Sequence, residues 1–336
     1  MLTLSVGLSG AMPGCTGSGS RAQVDREPPP KASSGRNGAK QLDPAQTYLN
    51  SAERALQEGN RDAALSDLAR AIEINPRLTE AHMAVADIYR LDGDFGRAEQ
   101  SYKKAAEIEP RNFDAQFYHG LMLHVLDRVS EAIRAYLRAL ALRPDDFQAN
   151  LNLSAAYFQL DENDQALPYA QTAVRLSPQS GPARMNLGSV FASLGRHREA
   201  VNEFQQATEL MDLTPDLLLA LAESLGKTDR YAEMRNTLEQ LIKSQPSAAA
   251  YERLGFAQFK LKDFASAQAS FERALEFDAE YFPAMNGIGV CLLNKWIASE
   301  KSDTESRDRA VRMLRRSLQA NRQQPRILEL VSRYSQ

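Results

Sequence analysis

Histidine and cysteine are the side chains most used for metal binding and nucleophilic catalysis, and this sequence holds four histidines and two cysteines. His119 and His124 stand five positions apart, a spacing that does not put two ligands on one face of a helix. No His-Glu-x-x-His, Gly-x-Ser-x-Gly or phosphate-binding loop occurs. Two cysteines exclude a disulfide scaffold and a cysteine-based zinc site. We therefore predict a non-enzymatic protein with no catalytic residue, no metal site, no cofactor and no small-molecule substrate.

Charge and hydropathy narrow the class of protein further. Lys and Arg number 40 against 43 Asp and Glu, which gives a net charge of -3. A nucleic-acid-binding protein usually carries a basic excess, so no nucleic-acid partner is expected. The mean hydropathy is -0.44, and the sequence lacks the run of about 18 apolar residues that a membrane span needs. The composition is that of an ordered, soluble chain.

A repeat of 34 residues indicates the secondary structure that positions any side chains able to bind a partner. One row of prolines and two rows of alanines keep this spacing. The rows are Pro76, Pro110, Pro144 and Pro178; Ala64, Ala98, Ala132, Ala166 and Ala200; and Ala71, Ala105, Ala139, Ala173 and Ala207. Within each period, apolar residues recur at helical spacing in two blocks, separated by a turn such as Asp92-Gly93. Each period is therefore predicted to be a helix, a tight turn and a second helix.

Alignment of these rows predicts eight units. They lie near residues 45–78, 79–112, 113–146, 147–180, 181–214, 215–247, 248–281 and 282–325. The eighth position is always small, which lets the two helices of a unit approach closely: Ala52, Ala86, Gly120, Ser154, Gly188, Ala222, Gly255 and Gly289. The position that we expect to face it is large in every unit except at Ala170: Leu68, Tyr102, Tyr136, Phe204, Leu238, Phe271 and Leu314.

The motif Leu187-Gly188-x-x-Phe191, followed by Ala200, Phe204 and Ala207, resembles the signature of the tetratricopeptide repeat family. The resemblance covers about residues 45–325. It implies an all-α fold, a right-handed superhelical solenoid of about eight helix–turn–helix units. It also implies a protein or peptide partner, because most members of the family bind other proteins.

Two units depart from the pattern. Unit six has Met234 and Leu241 where the other units hold mostly alanine. This predicts a local change of curvature or a boundary between two sub-arrays, with an ordinary repacked repeat as the alternative. Unit eight carries about nine extra residues between Trp296 and Arg309, which predict an exposed loop. Residues 326–336 are expected to form a C-terminal capping segment over the last apolar face.

In this family the first helix of each unit lines a concave groove, so the resemblance implies a set of groove residues. Those singled out are Phe117, Tyr118, Leu121, Leu151, Asn152, Phe158, Met185, Asn186, Arg253, Phe256 and Phe259. Asn152 and Asn186 hold equivalent positions one repeat apart, similar to the asparagine ladder of some peptide-binding superhelices. We expect units three to five to hold an apolar peptide or helix. The alternative is that the superhelix buries these side chains against itself.

Three further residues fall outside the groove. Arg309, Arg312 and Arg316 share one face of a helix and form a basic strip. Such a strip suits anionic lipid headgroups or an acidic partner, and a plain solvated face is the alternative. His119 stands where other units have leucine, which predicts a core histidine, and Cys291 is predicted to be a buried thiol.

The N-terminal residues fall outside the repeats. Residues 1–15 end in Gly14-Cys15 after an uncharged apolar stretch, which resembles the end of a bacterial lipoprotein signal segment with Cys15 as the lipidated residue. No basic residue precedes that stretch, which favours a natural start upstream of Met1. Residues 16–44 are rich in Gly, Ser and Pro and predict a disordered linker. The alternative for the whole segment is a disordered tail with a chance cysteine.

These features predict a protein–protein interaction scaffold, tethered by lipid to a bacterial envelope membrane (outer membrane or periplasm), that assists the assembly of a larger complex. Its architecture resembles that of the pilotins of type IV pilus assembly. A soluble cytoplasmic module without lipid is the alternative. An enzyme on a repeat platform needs a catalytic domain, and residues 1–44 and 326–336 leave no room for one.

Overall fold

The computed structural model describes residues 43–335, and every regular element in that range is an α-helix. In chain order the helices are α1 (Pro44–Gln57), α2 (Arg61–Ile74), α3 (Thr79–Leu91), α4 (Phe95–Ile108), α5 (Phe113–Val125), α6 (Val129–Leu142), α7 (Phe147–Gln159), α8 (Asn163–Leu176), α9 (Gly181–Ser193), α10 (His197–Leu210), α11 (Pro215–Lys227), α12 (Tyr231–Ser244), α13 (Ala248–Lys260), α14 (Phe264–Phe277), α15 (Phe282–Ala298), α16 (Thr304–Ala320) and α17 (Pro325–Tyr334). The first sixteen form eight consecutive pairs. We call the first helix of a pair its A helix and the second its B helix. The predicted all-α class is confirmed.

The chain divides into two compact units at Pro76. The described part of the first unit holds α1 and α2, which pack on each other. The second unit holds α3 to α17, and each of these helices packs on the next one along the chain. The predicted signal segment, Cys15 and the predicted linker up to residue 42 lie outside the described residues. None of the described helices is both long enough and apolar enough to cross a membrane.

The turn between the A and B helices repeats one backbone conformation. In seven pairs the fifteenth residue has a positive φ: Gly59, Gly93, Asp127, Asp161, Gly195, Asp229 and Lys262. Glycine adopts this left-handed conformation readily, whereas other residues are strained in it. Asp161 accepts a hydrogen bond from Asn163 Nδ2 at 2.7 Å. Lys262 has no side-chain hydrogen bond of this kind, so its strain is not offset.

The small and large residues meet as predicted in the four pairs whose small residue is glycine. A Cβ atom built on Gly188 would lie 2.7 Å from two ring carbons of Phe204, and one built on Gly120 would lie 2.8 Å from the ring of Tyr136. Carbon atoms normally approach to about 3.5–4.0 Å. The two helices of a pair therefore stand so close that the aromatic ring rests on the glycine backbone.

Unit six keeps a continuous core. Met234 and Leu241 are 4% and 2% exposed, and both belong to one apolar cluster that extends from Ala166 in α8 to Ala257 in α13. A boundary between sub-arrays would interrupt such a cluster. The described residues therefore argue against a boundary between sub-arrays in unit six, whereas the change of curvature stays a prediction.

The exposed loop predicted in unit eight is wrong. The extra residues extend both helices, so that α15 and α16 have 17 residues each and only a short turn separates them. The extension is stable because Trp296 is buried in the turn: its Nε1 donates to the carbonyl of Lys301 at 3.0 Å, and its ring meets Tyr334 edge-on at 5.6 Å. Tyr334 belongs to α17, whose apolar side packs against the core of α14 to α16.

The A-helix face as a candidate binding site

The predicted groove residues lie on the A helices of the second unit, which adjoin one another. α5 contacts α7, α7 contacts α9, α9 contacts α11, and α13 contacts α15. Helices on the inner side of a curved stack are the ones close enough to touch in this way. We call the surface that these helices share the A-helix face.

Phe117 is a core residue and does not line the A-helix face. Its side chain is 8% exposed, stacks on Phe113 at 5.8 Å, and lies 5.9 Å from the ring of Tyr136. The same core cluster includes Ala149 and Leu153 of the next repeat. The reason for this error is that α5 packs against both α6 and α7, so its fifth position points between repeats.

Tyr118 is half-buried and contacts both Tyr102 and Arg90. Its ring stacks on Tyr102 at 5.4 Å, and the guanidinium carbon of Arg90 lies 5.5 Å from its centroid. Arg90 donates to Asp87 at 3.0 Å and to the hydroxyl of Tyr102 at 3.1 Å, and that hydroxyl donates to Asp87 at 2.6 Å. Burial, together with the hydrogen bond to Asp87, raises the pKa of Tyr102 far above its usual value. Tyr118 is therefore a fixed aromatic platform, which loses little side-chain entropy on binding.

The two predicted ladder asparagines differ in their hydrogen bonds. Asn186 Oδ1 accepts from Ser154 Oγ at 3.1 Å, which ties α9 to α7. Within the described chain, no protein group hydrogen-bonds the amide of Asn152, which is half-buried on α7. Asn152 thus keeps all its hydrogen-bonding capacity for a ligand, whereas Asn186 keeps part of it.

Four half-exposed apolar side chains lie on three adjoining A helices, and we call them the apolar row: Leu121 on α5, Leu151 and Phe158 on α7, and Met185 on α9. Phe158 and Met185 rest on the core cluster beneath them, and Leu121 rests on the cluster around Tyr102. Their inner sides are therefore fixed by packing. Their outer sides remain available to another molecule.

A second aromatic group lies on the pair formed by α13 and α14. Phe256 is 39% exposed and meets Tyr231 edge-on at 6.0 Å, while Lys260 Nζ lies 5.4 Å from the centroid of Phe256. Phe259 contacts Phe264, which is also 39% exposed, with 5.2 Å between the centroids. Arg253, on the same helix, is half-buried.

The family assignment follows from the sequence of these repeats. A model of the tetratricopeptide repeat matches residues 49–115, 92–147, 125–181, 151–216 and 219–282, which together make up more than half of the chain. The chain belongs to the tetratricopeptide repeat family. Proteins of this family are generally non-catalytic scaffolds that bind peptides or other proteins. A comparison with curated proteins gives no match.

Solved structures share the tetratricopeptide fold at low sequence identity. YrrB, described as a protein with an unusual peptide-binding site, is 18% identical, with a TM-score of 0.50 over 58% of this chain and 96% of YrrB. PilF of Pseudomonas aeruginosa is 22% identical, with a TM-score of 0.50 over 60% of this chain and 92% of PilF. At these identities the likeness establishes the repeat solenoid and nothing more specific.

Two histidines of this tetratricopeptide array, His119 and His124, are held by neighbouring side chains. His119 is 8% exposed, and its Nε2 lies 3.2 Å from Glu99 Oε1, which Arg128 Nη1 also approaches at 3.3 Å. Burial lowers the pKa of His119, and it also lowers the pKa of His124, whose Nε2 lies 3.0 Å from Gln159 Oε1. His119 is therefore a core residue, as predicted, but within residues 43–335 its buried Nδ1 has no hydrogen-bond partner, so it is not the fully satisfied histidine that was expected. Among residues 43–335, no group of three His, Cys, Asp or Glu side chains could hold a metal ion.

The remaining predicted residues lie away from the A-helix face. Arg309, Arg312 and Arg316 are exposed on α16, a B helix. Cys291 is 2% exposed, and burial raises the pKa of its thiol to about 11. Tyr231 and Phe264 were missed because each is the first residue of a B helix. Their proximity to the turn was the available signal, because a turn brings the start of helix B beside the end of helix A.

Proposed function

We propose that this chain is a non-catalytic interaction scaffold whose A-helix face binds an apolar segment of a protein partner. The observation that supports this most directly is the half-exposure of Leu121, Leu151, Phe158 and Met185 on adjoining A helices, one of which also carries the amide of Asn152. A bound segment would remove the outer sides of these apolar groups from water, at a gain of about 25 cal/mol per Å². The amide would pair with one peptide group of that segment, which fixes its position along α7.

The packing beneath the apolar row supports binding without rearrangement. Tyr118 stacks on Tyr102 and contacts Arg90, and Asn186 is hydrogen-bonded to Ser154. Groups already held in one conformation lose little entropy when a partner binds. YrrB, which shares the fold, is described as having a peptide-binding site, so the fold is compatible with this role.

The binding proposal is tested with peptides selected on the full chain from a random peptide library displayed on phage. Dissociation constants of the selected peptides are measured by fluorescence anisotropy. Phe158→Ala removes an aromatic contact and is expected to weaken binding about 30-fold, and Asn152→Ala about fivefold. The matched control is Leu137→Ala, which truncates a 37% exposed leucine on the B helix α6.

The control decides the interpretation of that experiment. Leu137→Ala is expected to leave the dissociation constant within about twofold of the original, a size typical of a residue outside an interface. Thermal melting of each variant shows whether the fold is retained. Peptides that bind Phe158→Ala and Asn152→Ala as tightly as the unchanged chain would place binding elsewhere and refute the proposed site.

We further propose that the scaffold is a bacterial envelope lipoprotein, anchored through Cys15 to the outer membrane, and that it assists assembly of a membrane complex. The support is the Gly14-Cys15 pair between an apolar stretch and a Gly, Ser and Pro-rich segment. Mass spectrometry of the mature N-terminus from the native bacterium tests the anchor. A diacylglyceryl-modified Cys15 at the N-terminus is expected, and Cys15→Ser is expected to release the chain from membranes. An unmodified, uncleaved N-terminus would leave the soluble cytoplasmic module as the function.

A further inference from the structure

A cavity of about 440 Å³ lies between α14, α15 and α16, on helices that are not part of the predicted peptide site. Four apolar side chains line it, and we call them its floor because they are buried or half-buried: Leu275, Ile288, Leu292 and Met313. The volume falls in the range of about 300–1,000 Å³ typical of ligand sites. The cavity is therefore large enough to take apolar side chains from another molecule.

The rim of the cavity is basic. Arg309, Arg312 and Arg316 line it from α16, and Glu272 lines it from α14. Arg316 is already engaged, because its Nη2 donates to the carbonyl of Ala279 at 2.8 Å and pairs with Glu280 at 3.0 Å. Glu272 also has a partner, since its Oε1 accepts from Gln268 at 2.9 Å.

Arg309 and Arg312 are among the arginines of residues 43–335 that form no ion pair. Within the described residues, no acidic side chain pairs with either guanidinium group, and both are exposed. By contrast, Arg97, Arg196 and Arg273 each pair with a carboxylate three positions away. Two unpaired cations at the edge of an apolar cavity favour an anion with an apolar part.

We propose that this cavity is a second binding site, for an acidic peptide segment that places an apolar side chain on the floor and carboxylates at Arg309 and Arg312. A guanidinium group binds a carboxylate through two parallel hydrogen bonds. The two arginines are one helical turn apart, about 4.5 Å along the axis of α16. Acidic residues about one turn apart in the partner segment match that separation.

The shape of the site favours a peptide over a membrane surface. A bilayer is broad and meets the groups that protrude furthest, but Ile288 and Leu292 are only 2% exposed here, whereas the arginines are exposed. A single side chain from a peptide reaches them. This site does not depend on the A-helix face, so either proposal can fail without the other.

The test uses the full chain and a blocked, fluorescein-labelled peptide in which a Leu-Phe pair is flanked on each side by two aspartates. We expect saturable binding that weakens with salt, because it depends on ion pairs. Replacing Leu-Phe by Ser-Ser, or the aspartates by lysines, is expected to weaken binding at least tenfold. The double variant Arg309→Glu, Arg312→Glu is expected to weaken it at least tenfold as well.

The matched control is Arg322→Glu, Arg326→Glu, which changes the net charge equally at two exposed arginines outside the cavity. It is expected to change the dissociation constant less than about threefold, as distant screened charges do. Phe158→Ala is expected to have no effect. The proposal is overturned if the peptide does not bind at millimolar concentration, if both double variants weaken binding equally, or if Phe158→Ala abolishes it.

Co-sedimentation with vesicles of phosphatidylcholine and phosphatidylglycerol distinguishes a peptide-binding site from a membrane-binding surface. No co-sedimentation that depends on Arg309 and Arg312 is expected. If the double reversal abolishes sedimentation with these vesicles while peptide binding is unchanged, the strip is a lipid-binding surface and the proposed peptide site is wrong.

Discussion

The contact between Gly188 and Phe204 predicts how the helices of one repeat respond to a single added methyl group. In Gly188→Ala, the new Cβ would lie 2.7 Å from two ring carbons of Phe204, about 0.8 Å closer than carbon atoms normally approach. Overpacking of this kind costs about 1–3 kcal/mol. The better helix propensity of alanine returns about 1 kcal/mol. We therefore expect a net loss of about 1 kcal/mol in the free energy of unfolding.

The matched control is Gly96→Ala in α4, where the nearest atom to the added Cβ is Asp94 Oδ1 at 3.8 Å. Without a collision, the propensity term alone acts, and a gain of about 0.5–1 kcal/mol is expected. Urea unfolding followed by circular dichroism measures both variants. The chain itself supplies the compensating pair, since Ala222 and Leu238 are both fully buried in unit six. In the double variant Gly188→Ala, Phe204→Leu, the two changes are expected to offset each other by about 1 kcal/mol.

Two results would refute this reasoning. One is a gain in stability for Gly188→Ala as large as that for Gly96→Ala. The other is strict additivity in the double variant, which would mean that the alanine and the ring do not meet. Either result would show that glycine at this position does not serve the close approach of the helices.

Three further predictions concern the turn, the histidines and the buried thiol. Lys262→Gly relieves a positive φ of 66° and is expected to raise the free energy of unfolding by about 0.5–1 kcal/mol in urea titrations, whereas Asp161→Gly, which loses a hydrogen bond, gains nothing. Burial lowers the pKa of His119 and His124. As the pH falls, the unfolded chain therefore takes up protons at a higher pH than the folded chain does. The melting temperature should therefore fall as pH drops below about 6.5, and less steeply in His124→Gln; an unchanged slope would contradict this. Burial raises the pKa of the Cys291 thiol to about 11. In a Cys15→Ser variant, we therefore expect Cys291 to react with iodoacetamide at pH 8 only after unfolding. Rapid labelling of the folded chain would show an accessible thiol.

The repeat itself was predictable because small residues recur in the sequence at the spacing of the repeat. Alanine and glycine recur wherever two helices approach closely, and Gly120 and Gly188 do face the large side chains that the alignment paired with them. The extra residues of unit eight were not predictable in this way. They are charged and contain serine, which is typical of a loop, and only the burial of Trp296 against Tyr334 shows why both helices continue.

The candidate site was harder to predict, because the position of a residue within its repeat does not determine which neighbouring helix its side chain contacts. Phe117 and Tyr118 are adjacent in α5, yet the first is core and the second is half-exposed. The difference arises from α7, whose Ala149 and Leu153 cover Phe117 from the next repeat. Asn186 and Asn152 hold equivalent positions in their repeats, but Asn186 is hydrogen-bonded to Ser154 and Asn152 is not.

The close fit between a small residue on helix A and a large one on helix B has a consequence for recombination of repeats. A crossover between one helix B and the next helix A would exchange complete pairs and keep each ring with its own glycine or alanine. A crossover in the turn between A and B would separate them. Unit two joins Ala86 to the ring of Tyr102, and unit eight joins Gly289 closely to Leu314, so the fit belongs to each pair of helices and not to one fixed combination of residues. A segment exchanged between such arrays therefore keeps its fitted helix pairs when it begins at helix A.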